Sequence, residues 1–310
     1  MEKQALIEKI NRLKKEKDAI ILAHNYQSPE IQDIADFAGD SLELSMKAAE
    51  VKEKVIVFCG VQFMAETAKV LSPDKIVILP DEKAGCPMAD MINADDLRKL
   101  KALHPNAKVL CYVNSSAEVK AEADLCCTSS NAAKIVEQTF SKEQEIIFVP
   151  DKWLARVVAE RLNRKFIVWD GFCPTHARIL PEEIIALKSE FPDALVLAHP
   201  ECTKEICDLA DEILSTGQMS NFAKKSPVQT FIIATEEGMM HRLQKENPEK
   251  KFILANKRVI CPNMKRITLE KLAASLETLT PEITLDEEII KKAEKSIRDM
   301  VEISKKIMGA

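Results

Sequence analysis

Three stretches of the chain share one pattern: AIILAHNY at 19–26, AKVLCYVN at 107–114 and ALVLAHPE at 194–201. Each is a run of β-branched residues and leucine that ends in an aromatic or imidazole side chain, as expected for a buried strand. The strand-end positions, 88 and 87 residues apart, hold His24, Tyr112 and His199. The positions two residues further on hold Tyr26, Asn114 and Glu201. The pattern indicates an internal repeat.

The same period appears at two other positions of the repeat. The segments ADFAGDS, ADLCCTS and ADEILST begin at residues 35, 123 and 210, and they align the hydroxyl residues Ser41, Ser129 and Thr216. Each copy then ends, after a short strand, on a cysteine: Cys86, Cys173 and Cys261. Because one period holds at four unrelated positions, we predict that the chain is a triplication.

Each copy predicts an α/β unit, because strand and helix patterns alternate along it. The runs VIVFCG, EIIFVP and TFIIAT are almost entirely apolar, which is typical of parallel strands covered on both faces. We predict three α/β/α modules of three layers with small parallel sheets around a pseudo-threefold axis. The predicted boundaries are 1–95 for module 1, 96–182 for module 2, 183–262 for module 3 and 263–310 for a C-terminal helical tail.

The strand ends predict where the site lies, because parallel sheets open their ligand crevice at the carboxyl ends of the strands. Three modules around one axis would point these ends at a single central site. The arrangement fails if the modules are strung out in a row.

The recurring cysteines predict a metal site with three thiolates. Three sulfurs suit either zinc with a water as fourth ligand or a 4Fe-4S cluster with one iron free of protein ligands. The cluster is favoured because the chain has no close C-x-x-C pair, which zinc sites commonly use. The six other cysteines do not recur in all copies, and we expect them to be small buried hydrophobes: Cys59, Cys111, Cys126, Cys127, Cys202 and Cys207.

The strand-end residues are candidates for acid–base chemistry. His24 and His199 recur at one position of the repeat, which favours a functional role over that of ordinary core histidines. Tyr26 and Glu201 are candidate proton-transfer groups, because they project on the same side of an extended chain. Asn114 supplies amide contacts. His176, three residues after Cys173, could be a fourth ligand or a loop histidine, and we assign it to the substrate rather than to iron.

The hydroxyl set has two interpretations that do not exclude each other. Ser41, Ser129 and Thr216 are expected to be helix N-cap residues. Three helix N-termini around a centre would also form an anion site. The substrate should then carry several negative charges.

Composition excludes several classes of function. The net charge of -5 argues against broad nucleic-acid binding, and no apolar run approaches the ~20 residues of a membrane span. With seven glycines and no G-x-G-x-x-G or P-loop pattern, dinucleotide and nucleoside triphosphate binding are disfavoured. Nine cysteines without an export signal predict a cytoplasmic protein.

The chain resembles the quinolinate synthase family, which serves the bacterial and archaeal route to NAD. The resemblance covers essentially the whole chain and rests on complete phrases. These are ILAHNYQSPEIQDIADFAGDSLELS, VIVFCGVQFMAETAKVLSPDK, YVNSSAEVKAEAD, CPTH, AHPEC, STGQMSN and CPNMK.

The resemblance implies a transferase that condenses iminoaspartate with dihydroxyacetone phosphate to quinolinate, phosphate and water. It implies a 4Fe-4S cluster on Cys86, Cys173 and Cys261, with the open iron acting as a Lewis acid. It also implies catalytic roles for Tyr26, Glu201, His199 and Tyr112. The substrate-binding residues that it implies are His24, Ser41, Asn114, Ser129, His176 and Thr216.

Two alternatives stay open at this point: another 4Fe-4S dehydratase of a small hydroxy acid, and a non-catalytic iron-sulfur sensor. A transient contact with the enzyme that supplies iminoaspartate also stays open. Some family members carry a redox-active C-x-x-C pair near the last cluster ligand. Here Cys261 is followed by Pro262, Asn263 and Met264, which does not support that kind of regulation.

Overall fold

The computed structural model describes residues 3–309 and contains three separate four-stranded sheets. Every strand pair within a sheet is parallel. Numbered along the chain, the strand order is β2-β1-β3-β4 in the first sheet, β6-β5-β7-β8 in the second and β10-β9-β11-β12 in the third. The predicted fold class, three repeated α/β units with small parallel sheets, is confirmed. Each sheet lies within one predicted module.

The first two modules have the same order of elements. Module 1 begins with helix α1 Lys3–Glu16 and continues with β1 Ala19–His24, α2 Pro29–Ile34, β2 Phe37–Gly39, α3 Ser41–Glu50, β3 Val55–Cys59, α4 Gln62–Leu71 and β4 Ile76–Ile78. Module 2 contains α5 Ala94–Leu103, β5 Lys108–Tyr112, α6 Ala117–Ala121, β6 Leu125–Cys127, α7 Ala132–Thr139, β7 Ile146–Val149, α8 Lys152–Leu162 and β8 Ile167–Val168. The module boundaries stay a prediction, and α5 begins just before the first of them.

Module 3 and the tail complete the chain. Module 3 contains α9 Pro181–Glu190, β9 Leu195–Ala198, α10 Lys204–Leu209, β10 Glu212–Ile213, α11 Thr216–Lys225, β11 Thr230–Ala234, α12 Met239–Glu246 and β12 Lys251–Leu254. The tail forms α13 Leu269–Thr278 and α14 Glu287–Met308. The second strand of each module, β2, β6 or β10, has two or three residues and lies at one edge of its sheet.

The central strands form the core because both of their faces are covered. All six residues of β1 and all five of β3 are buried, in agreement with their unbroken apolar sequence. Burying a side chain such as Leu22 or Phe58 contributes about 1.5–3 kcal/mol to folding. The third sheet adds a smaller, separate cluster around Val196 and Ile232.

A recurring aspartate explains why the AD pair is repeated in the sequence. Asp36, the residue before the short strand β2, accepts a hydrogen bond from the Ile21 amide at 2.9 Å. The equivalent bonds join Asp124 to Val109 at 2.8 Å and Asp211 to Val196 at 2.7 Å. These carboxylates satisfy amides that the short edge strands leave unpaired.

The tail joins the modules rather than forming a further unit. Helix α14 packs against α6 and β6 of module 2 and against α4 of module 1. Its buried face repeats at helical spacing and combines small residues with larger apolar ones: Ala293, Ser296, Ile297, Met300, Val301 and Ser304. Before α14, the Ile283 amide donates to Val77 O at 2.8 Å and so protects the edge of the first sheet.

Modules 1 and 3 approach each other closely at Gly238. A Cβ atom placed on this glycine would lie 2.7–2.8 Å from backbone atoms of Tyr26. The Gly238 carbonyl also accepts a hydrogen bond from Gln32 Nε2 at 2.9 Å. The glycine is required by this close contact, which fixes the loop after β1 against the loop after β11.

Candidate active site

The strand order places the predicted strand-end residues at the natural binding crevice of each sheet. In each sheet the chain moves first to one side of the central strand and then to the other, which creates a topological switch point. His24 ends β1 and Tyr112 ends β5, whereas His199 follows β9 directly. All three side chains are buried.

One central cavity collects every residue that the sequence singled out. Its lining includes the three recurring cysteines and residues from all three copies of the repeat. The thirteen predicted residues found there are His24, Tyr26, Ser41, Cys86, Tyr112, Asn114, Ser129, Cys173, His176, His199, Glu201, Thr216 and Cys261. The three copies therefore meet at a single site. The role of each residue stays a prediction.

The three cysteines occupy equivalent Cys-Pro turns. The backbone amides two and three residues after each cysteine favour its thiolate and act to lower its pKa: Met88 and Ala89 for Cys86, Thr175 and His176 for Cys173, and Asn263 and Met264 for Cys261. A short 3-10 helix follows each turn. Amide hydrogen bonds to sulfur stabilise thiolates and tune metal–sulfur centres. The turns are therefore suited to hold thiolates.

Burial makes isolated thiolates unfavourable in this cavity. It raises the pKa of Cys86 to about 12 and also raises the pKa of Cys173 and Cys261. Three neighbouring thiolates consequently need a compensating cation, and a bound metal would supply it.

His24 and His199 are neutral hydrogen-bond acceptors. The His24 Nδ1 atom accepts the Tyr26 amide at 3.1 Å, and His199 Nδ1 accepts the Glu201 amide at 3.3 Å. Burial is the main cause that lowers the pKa of each imidazole to about 3. Their Nε2 atoms therefore carry the proton.

The hydrogen bonds that His24 and His199 accept correct one expectation about the backbone conformation after their strands. Tyr26 and Glu201 were expected to follow their histidines along an extended chain, but the backbone turns after each strand. The turn forms because the amide two residues on bonds to the imidazole, and Gln27 N and Cys202 N bond to the histidine carbonyls at 2.9 Å. Both side chains still reach the cavity.

Glu201 is the centre of the polar network. Its Oε1 atom accepts from Tyr112 Oη at 2.6 Å and from Asn114 Nδ2 at 3.0 Å, and Oε2 lies 3.0 Å from His176 Nδ1. Burial raises the pKa of this carboxyl, but the hydrogen bonds from His176 and Tyr112 and the nearby imidazoles outweigh it and lower the pKa to about 2. Glu201 is thus a carboxylate held by donors from module 2.

The two tyrosines keep their protons. Burial, followed by the charge of Glu201, raises the pKa of Tyr26 and of Tyr112 well above the ordinary phenol value. Tyr112 therefore donates to Glu201, while the Tyr26 hydroxyl lies 2.6 Å from Thr235 Oγ1. Both phenols are positioned as proton donors.

His176 lies between a sulfur and a carboxylate. Its Nδ1 atom is 3.2 Å from Cys173 Sγ and 3.0 Å from Glu201 Oε2. One ligand atom from each of these three residues falls within 4.8 Å of the others. The assignment of His176 to the substrate rather than to iron stays a prediction.

The N-cap interpretation of the hydroxyl set is wrong. Asp40 caps α3 and Ser215 caps α11, so Ser41 and Thr216 are the first residues inside these helices. Ser129 lies in the turn before α7, whose N-cap residue is Asn131. In α3 and α11 the capping bonds come from the residue before the hydroxyl, because the Asp40 and Ser215 side chains reach the free amides. None of the three predicted residues is used as a helix cap, and all three line the cavity.

The cavity lining offers neutral hydrogen-bond donors, rather than Lys or Arg side chains, to an anionic group. The helix N-termini of α3 and α11 face the cavity with their hydroxyls, and no Lys or Arg belongs to the described lining. Thr216 Oγ1 accepts from Asn25 Nδ2 at 2.8 Å, which orients its proton toward other partners. Amides and hydroxyls at helix N-termini bind phosphate and carboxylate groups.

Sequence reasoning missed three polar residues around the site. Asp40 and Glu236 line the cavity, and Thr235 contacts Tyr26 and His176 from behind. None recurs in the three copies, so a search for recurring positions did not find them. Their place in the sequence could have identified two of them, because Thr235 and Glu236 directly follow the central strand β11.

Glu236 joins the loop after β11 to the turn that carries Cys261. It accepts the Cys261 amide at 3.0 Å and the Gly238 amide at 2.7 Å, and Lys265 Nζ lies 3.0 Å away. Lys265 also donates to the Tyr26 carbonyl at 2.6 Å. Burial raises the pKa of Glu236, against the effect of the lysine.

The prediction for the six remaining cysteines is confirmed, because all of them are buried away from the cavity lining. No helix within residues 3–309 combines the length and apolar character that a membrane crossing needs.

The fold and the cavity define a class of protein: a triplicated α/β protein with one central cavity that contains three thiols. The sequence model of the family described as quinolinate synthetase A protein matches residues 8–302. The chain belongs to this family. The resemblance given by the sequence phrases is thereby confirmed.

Three relatives illustrate the extent of the similarity, and each is named quinolinate synthase. The protein of Dehalococcoides mccartyi strain CBDB1 is 54% identical over 303 residues, which cover 98% of this chain and 100% of the relative. That of Clostridium perfringens strain ATCC 13124 is 53% identical over 292 residues, covering 94% and 96%. That of Geotalea uraniireducens is 50% identical over 294 residues, covering 95% and 96%.

Proposed function

We propose that the chain is a quinolinate synthase that condenses iminoaspartate with dihydroxyacetone phosphate, giving quinolinate, phosphate and water. The observation that carries the proposal is the convergence of all thirteen predicted residues on one cavity in a member of this family. A dehydratase of another substrate has no comparable support. A non-catalytic sensor would leave the network around Glu201 without a use.

An iron-sulfur cluster fits the donor set of the cavity. Cys86, Cys173 and Cys261 would hold a 4Fe-4S cluster, since each sulfur has two backbone amides directed at it and burial favours a metal over free thiols. Three protein sulfurs leave one corner of such a cluster free. When bound, the cluster supplies an open iron as a Lewis acid.

The hydroxyl set and Asn114 are proposed to bind the anionic groups. Ser41, Ser129 and Thr216 line one part of the cavity, where helix N-termini favour carboxylate and phosphate groups. The Asn114 Oδ1 atom is buried and has no hydrogen-bond partner among the described residues. A buried acceptor without a partner costs about 1–3 kcal/mol, so a donor on the substrate would restore the lost bond.

The proton-transfer groups are proposed to be Tyr26, Tyr112, His199 and Glu201. The reaction removes protons from carbon and adds them to departing oxygen. A carboxylate can accept such protons, and phenols can donate them. Glu201 accepts, while the two tyrosines donate. His24 and His199 stay neutral because of burial, so their Nε2 atoms can donate hydrogen bonds to substrate oxygens without adding charge.

The test is a quinolinate synthase assay on the protein prepared without oxygen. Iron analysis should give about four irons per chain, the number in one cubane. The iron-loaded protein should then convert the two substrates into quinolinate, measured by chromatography. Cys86→Ser is the matched control, because it should lose both the iron and the product. Iron-loaded protein that forms no quinolinate would refute the proposal.

A further inference from the structure

Asn25 contacts one of the three hydroxyl residues of the cavity without belonging to the cavity lining itself. It is completely buried in the turn after β1, and its Nδ2 atom donates to Thr216 Oγ1 at 2.8 Å. Asn25 follows the central strand of module 1, whereas Thr216 is the first residue of α11 in module 3. The bond therefore joins two modules at the edge of the cavity.

The direction of the Asn25 amide is fixed by Arg242 of α12. The Arg242 Nη1 atom donates to Asn25 Oδ1 at 2.9 Å. A guanidinium group only donates, so the amide oxygen must face Arg242 and the amide nitrogen must face Thr216. Arg242 is itself held in place, because its Nε atom donates to Glu246 Oε1 at 2.9 Å and Nη1 lies 3.3 Å from Glu43 Oε2. If the amide turned over, two donors would face each other.

The fixed amide determines where the proton of the Thr216 hydroxyl can go. An amide nitrogen only donates, so Thr216 Oγ1 is the acceptor and keeps its own proton for another partner. A threonine inside a helix often gives this proton to the carbonyl four residues earlier, but Thr216 begins its helix and has no helical carbonyl before it. Because Thr216 lines the cavity, its proton is available to a ligand there.

This arrangement belongs to one copy of the repeat. The residues equivalent to Asn25 lie between the two recurring positions after the first strand of each copy, and they are Val113 and Pro200. Neither side chain can donate a hydrogen bond to a hydroxyl. The contact with Thr216 is therefore a specialised feature, and a search for recurring residues could not identify it.

We infer that Asn25 is a positioning residue that directs the Thr216 hydroxyl proton toward an oxyanion of the substrate, either a carboxylate or a phosphate. The inference rests on the proposed function, because it assigns how the site holds an anionic substrate. A donor that is oriented beforehand favours binding, since less freedom is lost when the ligand arrives. Thr216 also lies at the N-terminus of α11, where the helix dipole favours a negative charge.

The test changes the direction of the hydroxyl with little change of shape. In Asn25→Asp the carboxylate can pair with Arg242 and only accepts, so Thr216 must donate to it and its proton turns away from the ligand. The iron-loaded full chain, prepared without oxygen, is titrated calorimetrically with quinolinate and with dihydroxyacetone phosphate. We expect Asn25→Asp to bind at least one of these ligands about 10-fold more weakly. The ligand that is weakened shows whether Thr216 holds a carboxylate, a phosphate or each in turn.

A double-mutant cycle with Thr216→Val separates the direction of the hydroxyl from the added negative charge. If Asn25 acts through this hydroxyl, Asn25→Asp should change the affinity of the Thr216→Val protein by less than about twofold. Asn221→Asp, the same substitution at an exposed position of α11, is the matched control and should keep the affinity of the parent. Arg242→Gln no longer dictates the direction of the Asn25 amide, so it should weaken the same ligand.

Equal affinities of the parent and Asn25→Asp for both ligands would overturn the inference. An effect of Asn25→Asp that persists in full in the Thr216→Val protein would also overturn it, because the effect would then come from charge. If the parent forms no quinolinate in the assay, the proposed function fails, and inorganic phosphate becomes the probe. The parent should bind phosphate about 10-fold more tightly than Asn25→Asp. A parent that binds phosphate no better than the variant contradicts the role of Asn25.

Discussion

Replacing His199 by asparagine should make the protein less sensitive to acid. In the native state, burial is the main cause that lowers the imidazole pKa from 6.5 to about 3, and Nδ1 accepts the Glu201 amide. The unfolded chain takes up a proton near pH 6.5, whereas the native chain does so only near pH 3. Between these values the unfolded state binds more protons, so the free energy of unfolding falls as the pH falls.

The size of the effect follows from the two pKa values. At pH 5 the unfolded imidazole is 1.5 pH units below its pKa of 6.5, and the native imidazole is still neutral. At about 1.36 kcal/mol per unit, this histidine costs about 2 kcal/mol at pH 5 relative to neutral pH. His24 has the same low pKa and contributes a similar loss.

Urea unfolding of the full chain at pH 7.5 and pH 5, followed by tryptophan fluorescence, measures the loss. His199→Asn should lose about 2 kcal/mol less than the parent, because asparagine does not titrate and its oxygen can still accept the Glu201 amide. His104→Asn is the control, since His104 is partly exposed just after α5. An equal loss in His199→Asn and the parent would refute the assignment of a buried neutral imidazole.

Three further changes probe the site. Glu201→Gln should lower kcat by about 10²–10⁴ while the visible absorption of the cluster is retained, because the carboxylate is lost but no cysteine is touched. Cys173→Ala should lose the cluster, as shown by iron analysis and absorption. Lys265→Met should lower the free energy of unfolding by about 3 kcal/mol in a urea titration, because it leaves Glu236 buried without its cation.

For each of these three predictions, a stated result would contradict the prediction. Glu205→Gln, an exposed change in α10, is the control for Glu201→Gln, and equal kcat in both would remove Glu201 from the chemistry. An intact cluster spectrum in Cys173→Ala would refute the ligand assignment. A Lys265→Met protein as stable as its parent would show that Glu236 is buried without a charge.

The repeat explains why so much of the fold could be predicted from sequence. Strand ends such as His24 and Tyr112 are fixed by the alternation of apolar runs and by the rule that parallel strands open at their carboxyl ends. The alignment of the three cysteines in the repeat likewise predicts that they meet at one site. These features depend on local pattern and symmetry, which the sequence contains directly.

The features that sequence reasoning missed depend on asymmetry and on single bonds. Thr235 follows one strand in one module, and its partners Tyr26 and His176 come from the two other modules. The exact caps were also missed, because a serine at the start of a helix does not show whether it or the preceding Asp40 makes the capping bond. Such contacts become visible only when the modules are placed together.

The convergence of three copies has a consequence for how this site arose. A chain with one copy could build the cavity only as a homotrimer, and its three thirds would then be identical. Fusion of the copies in one chain removed that constraint, so equivalent positions could become Tyr26, Asn114 and Glu201. The two unlike substrates of the proposed reaction need a pocket whose three thirds differ, and gene fusion allows mutation to change each third separately.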